Sequence, residues 1–277
     1  MTKRVIFNAD DNGRTPSVAQ GILEAHLNGA VTSSTMMMNM PFAREAIRLA
    51  KEKSDCFSLG VHLNLTLGKP LCDPVNIASI VDQSGSFFTR AELLQRVPSI
   101  EPEHVRREWT AQVDAFLESG YSPDHIDSHH HIAGFDETWL ETYLELARTY
   151  DLALRPFLPD DFSNKDLERN FPKKMHHFLC ECARQAVQTS ELNSPDILLS
   201  GFFGSNATLD HLLSMLSGLC DGVTEIICHP GYSDAALART SDYTHGREHE
   251  LRLLSDPSLL KWIRAHDVEL CSYRSAW

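Results

Sequence analysis

The feature that most constrains this chain is a recurring alternation in which short apolar runs rich in β-branched residues are separated by longer stretches of helical period. This alternation predicts a parallel sheet covered by helices, the α/β class. The runs Arg4 to Ala9, Thr32 to Met38, Phe57 to Leu65, Asp124 to His129, Ala153 to Pro156, Ile197 to Gly201, Gly222 to Cys228 and Val268 to Cys271 read as strands. Helical period fills Thr15 to Asn28, Phe42 to Lys53, Glu103 to Ser119, Glu137 to Tyr150, Lys173 to Thr189, Leu209 to Leu219 and Ser258 to His266. Seven or eight strands suit a barrel. Thr15 and Pro16 offer a cap and a first-turn proline, while Gly29 and Gly120 are expected as left-handed helix ends. Two segments break the alternation, Thr66 to Pro102 and Pro156 to Pro172, and long insertions after strands commonly carry function or cover a site.

Composition limits the rest. With 277 residues and 42% hydrophobic content there is material for one core, so residues 1–277 are expected to form one domain. A formal charge of -13 leaves no basic surface for nucleic acid. The first apolar stretch is only Val5 to Phe7, and no run reaches the roughly 18 residues of a membrane span; a cytoplasmic protein is expected. Seven scattered cysteines show no disulfide framework. Cys180 and Cys182 fall in a helical stretch where i and i+2 diverge, which makes them a poor metal pair.

The unusual polar residues gather at carboxyl ends of predicted strands: Asp10 and Asp11, His62 and Asn64, His129 to His131, and His229. That end holds the active site in parallel α/β proteins, because the loops there converge on one cavity. If both lie on one strand, His125 and His129 are about 13 Å apart and cannot share an ion; only a helical segment would let them. Period-two alternation puts Asp127, His129 and His131 on one face and His130 on the other; His129 is the expected ligand, with Asp127 placed to orient a ligand or a neighbouring catalytic group. The same rule pairs His62 with Asn64 and leaves Val61, Leu63 and Leu65 to pack against helices. Adjacent carboxylates resist joint ionisation unless a cation offsets them, so a metal on one of Asp10 and Asp11 frees the other to act as base. His229, before the forced turn Pro230-Gly231, is placed as an imidazole near neutrality able to protonate a leaving amine. Arg155, ending the fifth strand, reads either as a contact to an anionic substrate group or as a structural ion pair. Plainer readings exist for the others: an aspartate as helix cap, and histidines bonded to loops. The four tryptophans read as core or interface residues.

With these residues in place, the chain resembles the YdjC-like and chito-oligosaccharide carbohydrate deacetylases. The matching motifs are Asn8-Ala9-Asp10-Asp11 with Gly13, Asn28-Gly29 with Val31-Thr32-Ser33, Gly60-Val61-His62 through Thr66 with Gly68-Lys69-Pro70, Asp127 through His131, and His229-Pro230-Gly231-Tyr232. The resemblance implies a distorted seven-stranded (β/α) barrel, a homodimer, and removal of acetate from an N-acetylated sugar such as chitobiose or a phosphorylated disaccharide. It further implies a divalent ion on Asp11, His62 and His129, with Asp10 as base and His229 as acid. Magnesium is the ion the family points to, although two imidazoles and a carboxylate suit zinc, manganese, cobalt or nickel by ligand type. The chain departs from the family at Asn12, where an aromatic residue is usual, and at Ala133, near which a further histidine is usual. Competing readings are another barrel metal hydrolase acting on sugar phosphates and a sugar-sensing protein without turnover. The pair Asp10-Asp11 argues against an amidohydrolase of the H-x-H type.

Overall fold

The computed structural model describes residues 2–156, 158–180 and 190–277. Its parallel strands are β1 (Lys3–Asn12), β2 (Ser33–Met36), β3 (Ser58–Leu63), β4 (His125–Ser128), β5 (Ala153–Leu154), β6 (Ile197–Leu199), β7 (Gly222–Cys228) and β8 (Val268–Leu270). They run in the order β5-β4-β3-β2-β1-β7-β6, with β8 also on β1. β1 is central because one of its edges is shared: Lys3 to Val5 pair with β8, Asn8 to Asn12 pair with β2, and the other edge pairs with β7. A strand enclosed on all sides must be apolar on both faces. Val5, Ile6, Phe7 and Ala9 are all fully buried.

The sheet curls into a half-barrel. Its edge strands β5 and β6 are joined through loops: Leu154 N donates to Asn193 O (2.8 Å) and Asp160 N to Leu198 O (2.7 Å). The Asp161 carboxylate accepts from Ser200 N (2.9 Å) and Gly201 N (2.6 Å). Asp160 and Asp161, in the insertion after β5, therefore help stitch the opening of the barrel.

Outside the sheet lie α1 (Pro16–Asn28), α2 (Ala43–Lys53), α3 (Pro102–Leu117), α4 (Glu137–Thr149), α5 (Leu209–Ser217), α6 (His245–Leu254) and α7 (Pro257–Ala265). Thr15 caps α1 by accepting from Val18 N, with Pro16 in the first turn. Trp109 and Trp139 meet edge-on in the core beneath α3 and α4. After β8 the chain turns inward: the Tyr273 ring stacks on His125 at 3.9 Å and its hydroxyl donates to Glu225, which fills the barrel below the polar strand ends.

Two local expectations are corrected. Gly120 has the left-handed φ of +84°, but Gly29 is extended (φ -137°); a Cβ there would stand 2.4 Å from Leu254 O, so close approach, and not handedness, requires the glycine. The predicted helix from 173 begins as Lys173–Met175 and His176–Phe178, while 181–189, with Cys182, lie outside the described residues. Short helices at Arg90–Arg96 and Asn164–Asn170 were not expected; each opens with a capping box, Thr89 with Glu92 and Ser163 with Asp166.

Candidate metal centre

Consecutive residues on a strand face opposite ways, so Asp10 and Asp11 need a device to serve one cavity. β1 has one. Its pairing with β2 slips between Ala9 and Asn12, and Asp11 takes a left-handed φ of 66°. This bulge re-aims the second carboxylate. Both side chains are buried at the strand end.

His62, from β3, and His129, just past β4, close on Asp11. Asp11 Oδ1 lies 3.0 Å from His129 Nδ1 and 3.4 Å from His62 Nε2, and the two nitrogens are 3.2 Å apart. Ligand bonds of about 2.0–2.2 Å place neighbouring ligand atoms about 3.0–3.5 Å apart. The triangle therefore fits one divalent cation. Asp11 Oδ1 is buried and faces the two imidazole nitrogens, as an atom shared with them around a cation would. The other ring nitrogen of His62, Nδ1, donates to Asp127 Oδ1 at 2.7 Å, so Nε2 is the nitrogen whose lone pair a cation would take in place of a proton. Thr35 Oγ1 fixes the second Asp127 oxygen at 2.9 Å.

A second grouping, Asp10, His62 and Asp127, is also close enough for a cation. It is already filled. Arg155 NH1 reaches Asp127 (2.6 Å) and Asp10 (2.8 Å), NH2 reaches Asp10 (2.6 Å), and Nε donates to Glu225 (2.8 Å). Of the two sequence readings of Arg155, the structure selects the buried ion pair.

The charges explain the protonation states. Burial alone would raise the Asp10 carboxyl, but the Arg155 guanidinium outweighs it and holds Asp10 well below the usual carboxylate range. Burial likewise opposes ionisation of Asp11, and His129 with Arg247 reverses the sign. Burial disfavours a charged His62, yet Asp127 and Asp10 prevail and raise its imidazole to about 10. In the metal-free chain a proton thus sits where a cation would compensate the carboxylates. His129 is pushed down by burial.

The remaining expected residues divide. His229 follows β7 with its ring against Phe203 and Tyr243, and its buried Nδ1 has no hydrogen-bond partner. Burial pushes it down to about 4, below the near-neutral value expected from sequence. Asn64 is not aimed at the centre: its amide donates to Asn39 Oδ1 and Leu67 O while Oδ1 accepts from Thr66 N, which consumes the side chain in a turn. The alternation that paired it with His62 fails because β3 ends at Leu63. His131 also leaves the strand register, though burial and the nearby Arg155, Asp10 and Asp127 still shape its imidazole. β4 ends at Ser128, His130 and His131 are left-handed, and the His131 ring lies edge-on to Phe162 at 5.8 Å. His125 is buried below, bonded to Asn8 and Asp124.

Several contributors were missed. Arg247 and Arg14 hold Asp11 Oδ2, Glu225 anchors Arg155, and Glu250 accepts the backbone N–H of His229. Glu225 was legible as a charge inside the apolar run Val223 to Cys228; Arg247 and Glu250 lie on α6, far away in sequence, without such a signal.

Fold and centre together define a class, a parallel α/β half-barrel with a buried Asp-His-His cluster able to hold a cation at the carboxyl ends of its strands. The chain belongs to the YdjC-like protein family, whose profile matches residues 4–265. It is 34% identical over 275 residues to a carbohydrate deacetylase of Geobacillus stearothermophilus, covering 99% of this chain and 98% of that protein. A carbohydrate deacetylase of Enterococcus faecalis is also 34% identical, over 278 residues, with coverage of 99% and 98%. A crystal structure from Enterococcus faecalis, described as that of a candidate cellobiose-phosphate cleavage protein, superposes with a TM-score of 0.86 at 32% identity, covering 99% of this chain and 98% of the other. A lactam utilization protein from Thermus thermophilus shares the fold alone (TM-score 0.52, 12% identity, covering 99% and 100%).

Proposed function

We infer that this protein is a metal-dependent hydrolase that removes acetate from an N-acetylated sugar. The buried Asp11, His62 and His129 triangle, with ligand atoms 3.0 to 3.4 Å apart, carries the reading. The names of the 34% identical relatives support the substrate class.

A divalent ion held there supplies Lewis acidity toward water and the acetamide carbonyl. Asp10 stays ionised because Arg155 grips both of its oxygens, and it accepts the proton of the attacking water. The water oxygen bonds to the carbonyl carbon and the C–N bond breaks; His229, which burial holds neutral, relays the proton taken from the water to the departing amine nitrogen. Acetate and an amino sugar result. Two nitrogen donors and one carboxylate favour zinc, manganese, cobalt or nickel by ligand type, whereas family resemblance favours magnesium. Elemental analysis of the purified protein distinguishes them.

The test is acetate release from N-acetylglucosamine oligomers by metal-loaded protein. His129→Ala should lose both metal and turnover. Asp10→Asn should keep the metal and lose roughly 100-fold to 10,000-fold in rate. Full metal occupancy in His129→Ala would remove the ligand assignment. Phosphate release from sugar phosphates without acetate release would favour the sugar-phosphate hydrolase, and chitobiose binding without turnover a sensor.

A further inference from the structure

Beside His229 lies a group that none of this chemistry uses. β6 pairs with β7 in parallel, Leu199 opposite Ile226, so the loop after β6 emerges next to the loop that carries His229. Phe202 of that loop is fully buried and anchors it, while Phe203 is 46% exposed. The Phe203 ring stacks on Tyr243 (centroids 4.2 Å, 29°) and meets His229 edge-on at 5.4 Å.

The ring is held in place. On its N-terminal side Gly201 N donates to Asp161; on its C-terminal side Gly204 N donates to the Tyr243 hydroxyl at 3.2 Å, and that hydroxyl donates to Glu250 at 2.5 Å. An aromatic ring stacked by one face on a tethered tyrosine, with nearly half its surface open, leaves apolar area available to a flat apolar partner. A pyranose offers such a partner in the C–H groups of its ring, and concave sugar sites combine apolar walls with a few polar groups. The ring's position says which part of a substrate it meets. His229 serves the amine nitrogen, which remains on the sugar, so a group packed against His229 faces the sugar and not the departing acetyl.

We propose that Phe203, backed by Tyr243, is a stacking platform for the pyranose ring that bears the acetamide, a specificity element of the deacetylase reading on which this inference rests. The platform acts on binding. Phe203→Ala and Phe203→Leu should weaken binding of di-N-acetylchitobiose to the metal-loaded protein roughly 10-fold, while Phe203→Tyr and Phe203→Trp keep it, because a planar face is what is required. Titration calorimetry measures the binding. Acetate release, measured in parallel, should show the loss in KM with kcat little changed. Because Phe203 is exposed, an unchanged melting temperature and metal content in each variant confirm that the fold survives.

Binding by Phe203→Leu equal to that of the unsubstituted protein would overturn the platform and leave deacetylation standing. A kcat loss at constant KM would also overturn it. If the unsubstituted protein binds the disaccharide with the predicted Phe203 dependence but releases no acetate, the platform holds and the deacetylase reading fails. Absence of any sugar binding would end both.

Discussion

Asp11 shows how much one backbone angle can decide. In ordinary extended geometry its carboxylate would point away from that of Asp10; the left-handed turn at the bulge brings both to the same strand end. The residue types were readable in sequence, since paired carboxylates and imidazoles at strand ends point to a metal. Their partners were not, because Arg247 contacts Asp11 across 236 positions. Glu250 makes a residue-scale prediction. Burial raises its carboxyl to about 7 although the Tyr243 hydroxyl and the His229 backbone N–H both donate to it. A carboxyl with a raised folded-state value favours the native state when protonated: its contribution is complete below the unfolded value of about 4.3 and is lost as pH rises through about 7. Denaturation of wild type and Glu250→Gln between pH 4.5 and 8 should therefore show the wild type losing ground, by up to roughly 3 kcal/mol across the window. A gap independent of pH would mean that Glu250 ionises normally.

At the level of elements, β3 carries His62 past a crowded interior. Gly60, two residues earlier on the same face, leaves room for His125: an added Cβ would stand 2.6 Å from the His125 carbonyl oxygen and 2.7 Å from its ring. His125 cannot easily retreat, because Tyr273 stacks on it and Asn8 bonds its Nε2. Gly60→Ala should cost about 1–3 kcal/mol by overpacking. It should also weaken metal binding, since the displaced strand carries a ligand. Thermal melts and metal titration read the two effects; a variant unchanged in both would show that β3 has slack. Elements of this kind were visible in sequence where periodicity ran long, as in α1, α3 and α4. The helices Arg90–Arg96 and Asn164–Asn170 span too few turns for a periodic pattern, and their capping boxes were the available signal.

On the scale of the whole molecule, the candidate cation joins β1, β3 and the turn after β4, three segments separated by 51 and 67 positions (Asp11 to His62, His62 to His129). A cation that binds only when they are assembled stabilises the folded chain by linkage, about 2.7 kcal/mol at 100 times its Kd. For a chain of 277 residues that corresponds to an upward shift in Tm of roughly 5 °C. Melting after chelator treatment and again after readdition of metal should reveal the shift, and His129→Ala should abolish it. Equal shifts in wild type and variant would place the ion elsewhere. No described helix is long and apolar enough to cross a membrane.

The sequence by itself determined the alternation of strands and helices, the gathering of acids and imidazoles at strand ends, and family membership, because each is written in local spacing or in ordered motifs. Tertiary structure decided which of those polar groups meet. It drew Asp11, His62 and His129 into one triangle, turned Asn64 aside where its strand stops, and paired Arg155 with Asp10, Asp127 and Glu225. The physical reason is that period-two alternation governs a side chain only while the strand continues. Beyond its last residue, bulges, left-handed turns and charges supplied from distant segments set the direction.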